Sequence, residues 1–140
     1  MIEIKRLHRG DEELAQEIVK QFWPQGQLND EFLSKEPNYL LAAYVDNALA
    51  GFAYAYELDR IEQERPMMFF YSIDVLSEYQ KQGIGKRLIE ELKRICADRN
   101  VCKMYVLTDE ENEAAMNLYQ STGGERVYPD NVLFVYKEED

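Results

Sequence analysis

The feature that most constrains the fold of this chain is a buried strand followed by a glycine-containing loop and an amphipathic helix. The segment Met67–Val75 is rich in aromatic and branched apolar residues, which predicts a central strand covered on both faces. From Gly83 to Arg99, apolar side chains recur at helical spacing and form one stripe. A strand and a helix in this order favour an α/β fold in which the helix packs on the sheet.

Apolar periodicity predicts further elements on either side of this unit. The other predicted strands are Ile2–Leu7, Tyr39–Val45, Leu49–Leu58, Lys103–Leu107, Glu125–Tyr128 and Val132–Tyr136. The other predicted helices are Asp11–Phe22, Asn29–Lys35 and Asn112–Thr122. The order β-α-α-β-β-β-α-β-α-β-β predicts a mixed α/β sheet with helices on both faces, built as a single domain from all 140 residues.

The charge of the chain limits the partners that it can bind. Asp and Glu number 27 against 16 Lys and Arg, which gives a net charge of −11. Such a surface repels nucleic acid and attracts a cationic small molecule or a basic peptide. Apolar runs stay shorter than the roughly 18 residues of a membrane-spanning helix, and the N-terminus lacks the pattern of a signal peptide. We therefore expect a cytoplasmic protein with no membrane partner.

The cysteine and histidine content argues against a metal site. Cys96 and Cys102 do not form a C-x-x-C pair, and His8 is the single histidine. Because zinc and redox sites need more ligands than this inventory supplies, we expect no metal. Both cysteines are expected to be small buried residues in a reducing compartment.

The loop Gln80–Gly85 is the first candidate for chemistry. Glycines at the start of a helix let an anion approach unpaired main-chain N–H groups, and the helix dipole adds positive potential. Ser77–Gln80 also fits a capping box, and a glycine pair after a strand also fits a tight turn. The loop alone therefore leaves phosphate binding open. It completes neither a P-loop nor a dinucleotide-binding pattern, which disfavours a generic nucleotide-binding domain.

A second segment makes the first more specific. The loop reads [Q/R]-x-x-G-x-[G/A] between a strand and a helix, and one strand later the chain has Asn112, the pair Leu118-Tyr119 and Gly123. Together these patterns resemble the acyl-CoA site of the GNAT N-acetyltransferase superfamily. The resemblance extends over essentially the whole chain and implies the GNAT acyl-CoA N-acyltransferase fold, with a mixed and mostly antiparallel sheet.

Within the superfamily, the chain most resembles the aminoglycoside 3-N-acetyltransferases. The segments that carry this likeness are Tyr56–Gln63, Phe69–Tyr71 and Val106–Asp109. Those enzymes have an aspartate where Ser72 stands, whereas here the acid is Asp74, two positions later and on the same side of the strand. The resemblance implies an acetyl-CoA-dependent enzyme that modifies a primary amine, as in resistance to an aminoglycoside antibiotic.

The resemblance also implies which residues bind acetyl-CoA. The pyrophosphate would lie on the loop and the pantetheine arm on main-chain atoms of the fourth strand, and a main-chain amide near Val75 would polarise the thioester carbonyl. Tyr119 would be the general acid that protonates the departing thiolate. Asn112 would bind the pantetheine or a water, although it also fits a helix cap. The full set is Ile73, Val75, Gln80, Lys81, Gln82, Gly83, Ile84, Gly85, Lys86, Asn112 and Tyr119.

Three acids are candidates for the acceptor side. Glu57 and Asp74 are alternative general bases, of which Glu57 is preferred; each needs a raised pKa or a water relay, and both are also candidates for binding the substrate. Asp109 matches an acid of the aminoglycoside enzymes, although it also fits a helix cap.

Alternative functions are acetylation of a peptide or protein amine and a non-catalytic acyl-CoA sensor. Dimers are common in the family, so a homodimer is a further expectation.

Overall fold

The computed structural model of the chain describes residues 1–138, so that Glu139 and Asp140 lie outside the described part. The strands are β1 (Ile2–Leu7), β2 (Asn38–Val45), β3 (Ala48–Leu58), β4 (Met67–Val75) and β5 (Met104–Tyr105). The helices are α1 (Glu12–Phe22), α2 (Ile84–Asp98) and α3 (Glu113–Ser121), with short 3-10 turns at Phe32–Ser34 and Ser77–Tyr79.

The five strands form one sheet in the order β1-β2-β3-β4-β5. The first three pairings are antiparallel, and β4 and β5 run parallel. The parallel pair follows from the connection through α2, because two parallel neighbours need a crossover of this kind. The predicted mixed and mostly antiparallel sheet is confirmed.

Each face of the sheet carries its own apolar core. On one face, Leu88 and Leu92 of α2 pack against Leu41, Ala53 and Phe70 of the sheet. On the other face, α1 packs its buried stripe against β1, β2 and β3, and its members include Ala15, Ile18, Leu40 and Phe52. The prediction of helices on both faces is therefore confirmed.

A bulge in β4 changes which residues share a face. Tyr54 of β3 pairs with Ser72, whereas the next residue, Ala55, pairs with Phe70, so that Tyr71 is an extra residue in β4. Bulges of this kind bend a strand and re-aim its side chains. As a result Tyr71 projects from the α1 face, where its ring lies 5.2 Å from that of Tyr54.

Several predicted elements are shorter than expected or missing. The second helix is reduced to the turn Phe32–Ser34, and β5 ends at Tyr105 instead of Leu107. Within the described residues, the predicted strands Glu125–Tyr128 and Val132–Tyr136 have no strand pairing. Their composition suits a strand, but a strand needs a neighbour, and the short β5 offers too little edge for one. These predictions were wrong.

In the described chain, no helix is long and apolar enough to cross a membrane.

Candidate active site

The most unusual feature of the sheet is the free edge of β4. In residues 1–138, β4 pairs with β5 only at Met68↔Met104 and Phe69↔Tyr105, and the rings of Phe69 and Tyr105 stack with centroids 4.7 Å apart. Beyond that point the strands separate, while β4 continues to Val75. The separation leaves about six residues of β4 with a free main-chain edge, or roughly 20 Å at the rise of a strand.

The free edge presents the main-chain groups of Ile73 and Val75. The Leu76 amide donates to the Ala50 carbonyl of β3 at 2.8 Å. Because main-chain groups alternate in direction along an antiparallel strand, those of Ile73 and Val75 face away from β3. Their side chains pack against the α2 core. Donors and acceptors on this edge can therefore pair with an extended, amide-containing ligand.

Neighbouring side chains occupy the main-chain groups of Val75 in the free protein. The Val75 amide donates to Oδ1 of Asp74 at 2.9 Å. Gln80 Nε2 donates to the Val75 carbonyl at 3.0 Å. Both partners are exposed side chains, which can rotate away when a ligand offers equivalent hydrogen bonds.

The loop before α2 has the backbone of an anion site. Lys81 has φ 63° and Gly83 has φ 82°, both in the left-handed region. Gly83 is the N-cap of α2, and a Cβ built on it would have no heavy atom within 4 Å. The first amides of α2 therefore open onto free space, where the helix dipole favours an anion. The exposed side chains of Lys81 and Lys86 add positive charge.

The remaining loop residues hold this conformation. Ile84 is 1% exposed and fixes the start of α2 in the core. Gln82 Nε2 donates weakly to the Glu78 carbonyl at 3.4 Å. Gly85 lies directly against α3, because a Cβ on it would stand 3.1 Å from Cδ2 of Leu118. The loop and the Leu118-Tyr119 segment are therefore in contact.

Tyr119 lies on the α2 face of the sheet. Its ring packs edge-on against Phe70 of β4, with centroids 5.8 Å apart, and belongs to the border of the α2 core. Burial raises the pKa of the Tyr119 phenol above its ordinary value of 10.0. The phenol therefore stays protonated at neutral pH and is available as a proton donor beside β4.

Asn112 caps α3, and Asp109 stabilises the turn that precedes it. Asn112 Oδ1 accepts from the Ala115 amide at 3.1 Å, as an N-cap does. Asp109 Oδ1 accepts from the Glu111 amide at 3.0 Å. The capping interpretation is thus observed for Asn112, whereas Asp109 lies before a turn and caps no helix. Nδ2 of Asn112 and Oδ2 of Asp109 are further polar atoms of these exposed side chains.

Glu57 is fixed in an ion pair, which weakens its case as a base. Its carboxylate accepts two hydrogen bonds from Arg99, each 2.9 Å, and one from the Tyr39 hydroxyl at 2.7 Å. The Arg99 hydrogen bonds lower the pKa of Glu57, despite the opposing effect of burial. It shares the α2 face with Ala53 and Ala55, by strand alternation, and it pairs with Met68 at the far end of β4. The geometry therefore gives Glu57 a structural role.

Asp74 occupies a different place from Glu57. It pairs with Phe52, which belongs to the α1 core, so its side chain is on the α1 face. Tyr119 is on the opposite face, and the free edge of β4 lies between the two. A carboxylate and a phenol thus lie on opposite faces of β4, with Asp74 between Ile73 and Val75 and the Tyr119 ring against Phe70 of the same strand.

The sequence interpretation missed a continuous aromatic surface on the α1 face. Tyr54 lies within 6.3 Å, centroid to centroid, of five other rings, those of Trp23, Phe32, Phe52, Tyr56 and Tyr71. The signal was present in β3, where aromatic residues alternate with alanine from Phe52 to Tyr56. Such alternation puts every ring on one face, although the bulge that adds Tyr71 has no local signature.

The side chains of residues 1–138 include no group of three or more His, Cys, Asp and Glu placed to hold a metal ion.

Sequence comparison places the chain close to known acetyltransferases. Residues 3–123 match the acetyltransferase (GNAT) family. The N-alpha-acetyltransferase RimI of Mycobacterium tuberculosis is 32% identical over 133 residues, which cover 90% of this chain and 80% of RimI. The predicted superfamily is confirmed.

Comparison with solved structures gives the same fold. An aminoglycoside acetyltransferase from an uncultured soil metagenomic sample has a TM-score of 0.89 at 24% identity, with 99% of both chains covered. The aminoglycoside acetyltransferase AAC(6')-Iy, solved with a bisubstrate analog, has a TM-score of 0.81 at 24% identity, again with 99% of both chains covered. At these identities the likeness shows a shared fold.

Proposed function

Because the chain belongs to the acetyltransferase (GNAT) family, we propose that it passes the acetyl group of acetyl-CoA to a primary amine at the free edge of β4. Acetyl-CoA is the co-substrate of this family. One observation carries the proposal: the free edge of Ile73 and Val75 lies between Asp74 on one face and Tyr119 on the other. This arrangement provides a donor site, a base and an acid in one place.

The loop and the edge would hold acetyl-CoA as the sequence predicts. The amides at Gly83, Ile84 and Gly85 would bind the pyrophosphate, with support from Lys81, Lys86 and the side chains of Gln80 and Gln82. Main-chain groups of Ile73 and Val75 would pair with the pantetheine arm, and Asn112 Nδ2 would donate to the arm or to a water. Fixing both substrates in this way supplies a large part of the rate.

Proton transfer would run across the sheet edge. Asp74 would accept the proton of the substrate ammonium, directly or through a water, and would release the Val75 amide as it turns toward the amine. That amide would then donate to the thioester oxygen and stabilise its developing charge. The attacking nitrogen would lose its second proton to solvent as the C–S bond breaks, and Tyr119 would give its proton to the departing sulfur and recover one from solvent. The raised pKa of Tyr119 keeps the phenol protonated until the sulfur leaves.

The proposed acceptor is a cationic small molecule, of which an aminoglycoside antibiotic is the first candidate. The net charge of −11 supports this class, since it attracts cations. Asp74 and Asp109 are exposed carboxylates that would hold substrate ammonium groups. The proposed compartment is the cytoplasm, which suits the free thiols of Cys96 and Cys102.

A peptide N-terminus is the second candidate acceptor. The likeness to RimI, an N-alpha-acetyltransferase, favours it. Both candidates are tested by free-thiol release from acetyl-CoA with aminoglycosides, polyamines and peptides, with Asp74→Asn as the companion variant. The proposal expects amine-dependent thiol release that Asp74→Asn slows at least tenfold. Acetyl-CoA binding without thiol release for any amine would instead favour the sensor alternative.

We also propose that the protein is a homodimer. Five consecutive apolar residues, Val132–Tyr136, are between 65% and 98% exposed, and a run of this kind is costly in water. A second copy of the chain would cover it. Sedimentation should give a dimer that Leu133→Glu converts to a monomer; a monomeric wild-type protein would refute the proposal.

A further inference from the structure

The aromatic surface of the α1 face lines a cavity of about 360 Å³ that is open to solvent, between α1, the loop that follows it, and β3. Trp23, Leu28 and Phe32 form its outer wall, and Phe52, Tyr54 and Tyr56 form its floor. An apolar cavity of about 150 Å³ already accepts benzene. This space is therefore large enough for one aromatic ring and its linker.

The lining of the cavity is mostly apolar and carries no charge, with Gln27 and Asn29 as its amide side chains. None of its lining residues, all of which belong to the described chain, is Asp, Glu, Lys or Arg. Burial raises the pKa of Tyr54 to about 12, so its hydroxyl is neutral at physiological pH. A polycation placed here would lose water without gaining a counter-charge, which is unfavourable. An apolar group would gain from the same desolvation.

The cavity leads to the free edge of β4. Its floor residue Tyr54 lies 5.2 Å from the ring of Tyr71, and its floor residue Phe52 pairs with Asp74 across the sheet. Because Phe52 is 1% exposed, an apolar group would sit on Tyr54, which pairs with Ser72 and stands diagonally to Asp74 at about 7–8 Å. A linker of two or three bonds, extended by a hydrogen bond, spans this distance and brings an attached amine to the carboxylate.

From this arrangement we propose that the cavity binds an aromatic or large aliphatic group attached to the acceptor amine. The inference rests on the proposed acetyl transfer and replaces the aminoglycoside as its first candidate acceptor with one primary amine that has an apolar group two or three bonds away. Exposed faces of Trp23 and Tyr71 would attract the ammonium as it enters, and Asp74 would receive it.

The same chemistry has two sources, a free arylalkylamine and a peptide whose first residue is large and apolar. The arms of the test separate them: 2-phenylethylamine against propylamine, and a peptide that begins with phenylalanine against one that begins with glycine. Kanamycin serves as the polycationic comparison. Within each pair, the larger apolar group should lower Kd and raise kcat/KM by at least about tenfold.

The fluorescence of Trp23 reports ligand binding in the cavity and does not depend on turnover. It is the single tryptophan of the chain and is 40% exposed, so a ring bound against it should change its fluorescence. Saturable change with 2-phenylethylamine or the phenylalanine peptide, and little change with propylamine or kanamycin, is the expected result. This outcome supports the cavity assignment even if no acceptor is acetylated. In that case the proposed acetyl transfer is refuted and the assignment of the cavity is not.

A cavity-filling variant and a matched control complete the test. Leu28→Trp places a bulky side chain inside the cavity, whereas Gln25→Trp places it at an exposed position of the same loop outside the lining. By calorimetry, Leu28→Trp should weaken 2-phenylethylamine at least tenfold and leave acetyl-CoA binding unchanged, and Gln25→Trp should change neither. Equal affinity for propylamine and 2-phenylethylamine, or equal behaviour of the two variants, would overturn the inference.

Discussion

Gly85 of α2 lies against Leu118 of α3, so closely that a Cβ on the glycine would stand 3.1 Å from the Leu118 Cδ2 atom. These residues belong to the two sequence patterns on which the family resemblance was based. Their contact sets the position of α3, and with it that of Tyr119, relative to the anion-binding end of α2. The donor site and the general acid are therefore coupled through packing.

Gly85→Val should disturb this packing and move α3. The larger side chain would overpack the contact and lower the free energy of unfolding by about 1–3 kcal/mol, with a loss of acetyl-CoA affinity. Gly85→Ala should cost less, since the end of Leu118 can shift and alanine favours a helix. Denaturant unfolding measures both effects. Leu118→Ala should partly rescue Gly85→Val in a double-mutant cycle; purely additive losses would contradict the coupling.

Gly83→Asp should abolish acetyl-CoA binding in calorimetry, because the new carboxylate would face the pyrophosphate at the start of α2. The substitution also strains the backbone, at φ 82°. Gly83→Ala has the same backbone strain, which costs about 1–2 kcal/mol of stability, but adds no charge. It should therefore keep most of the affinity. Gly10→Asp is a second control, since Gly10 has φ 104° and open space around its Cα. Equal loss in all three variants would point to strain alone.

Tyr119→Phe should lower kcat by a factor of about 10²–10⁴ if the phenol is the general acid, with KM for acetyl-CoA near that of the wild type. The protonated phenol is the active form, and burial raises its pKa above 10.0. The midpoint of the alkaline loss of wild-type kcat should therefore lie above pH 10.0. Steady-state kinetics across pH tests both statements. Unchanged kcat in Tyr119→Phe would remove the acid role.

Glu57→Gln should lower stability rather than turnover. At pH 7 the loss should be about 1–2 kcal/mol, a figure reduced because Arg99 is 56% exposed and its ion pair is screened. Since the folded pKa of Glu57 is depressed, its contribution is complete above the unfolded pKa of about 4.3 and disappears as pH falls through the folded value.

Denaturant unfolding should be measured for the wild type and for Glu57→Gln at pH 7 and at pH 3. The difference between their free energies of unfolding should be smaller at pH 3. The rate of acetyl transfer per folded molecule should stay near that of the wild type. If Glu57→Gln instead lowered kcat and left the free energy of unfolding equal to that of the wild type, Glu57 would again be a candidate base.

Local patterns were enough to predict the loop at Gln80–Gly85, because the positions of its glycines and the helix that follows are encoded within ten residues. Long-range features were not predictable in this way. The ion pair of Glu57 with Arg99 joins residues 42 positions apart, and nothing near Glu57 in the sequence indicates it. Val132–Tyr136 has strand composition, yet pairing depends on a partner edge that local sequence does not report.

The most direct test of the account is amide hydrogen exchange at Ile73 and Val75, with and without saturating acetyl-CoA. The account predicts that acetyl-CoA slows exchange of these two amides at least tenfold, because the arm pairs with the free edge of β4. Bound acetyl-CoA, verified by calorimetry, with unchanged exchange at both amides would contradict it.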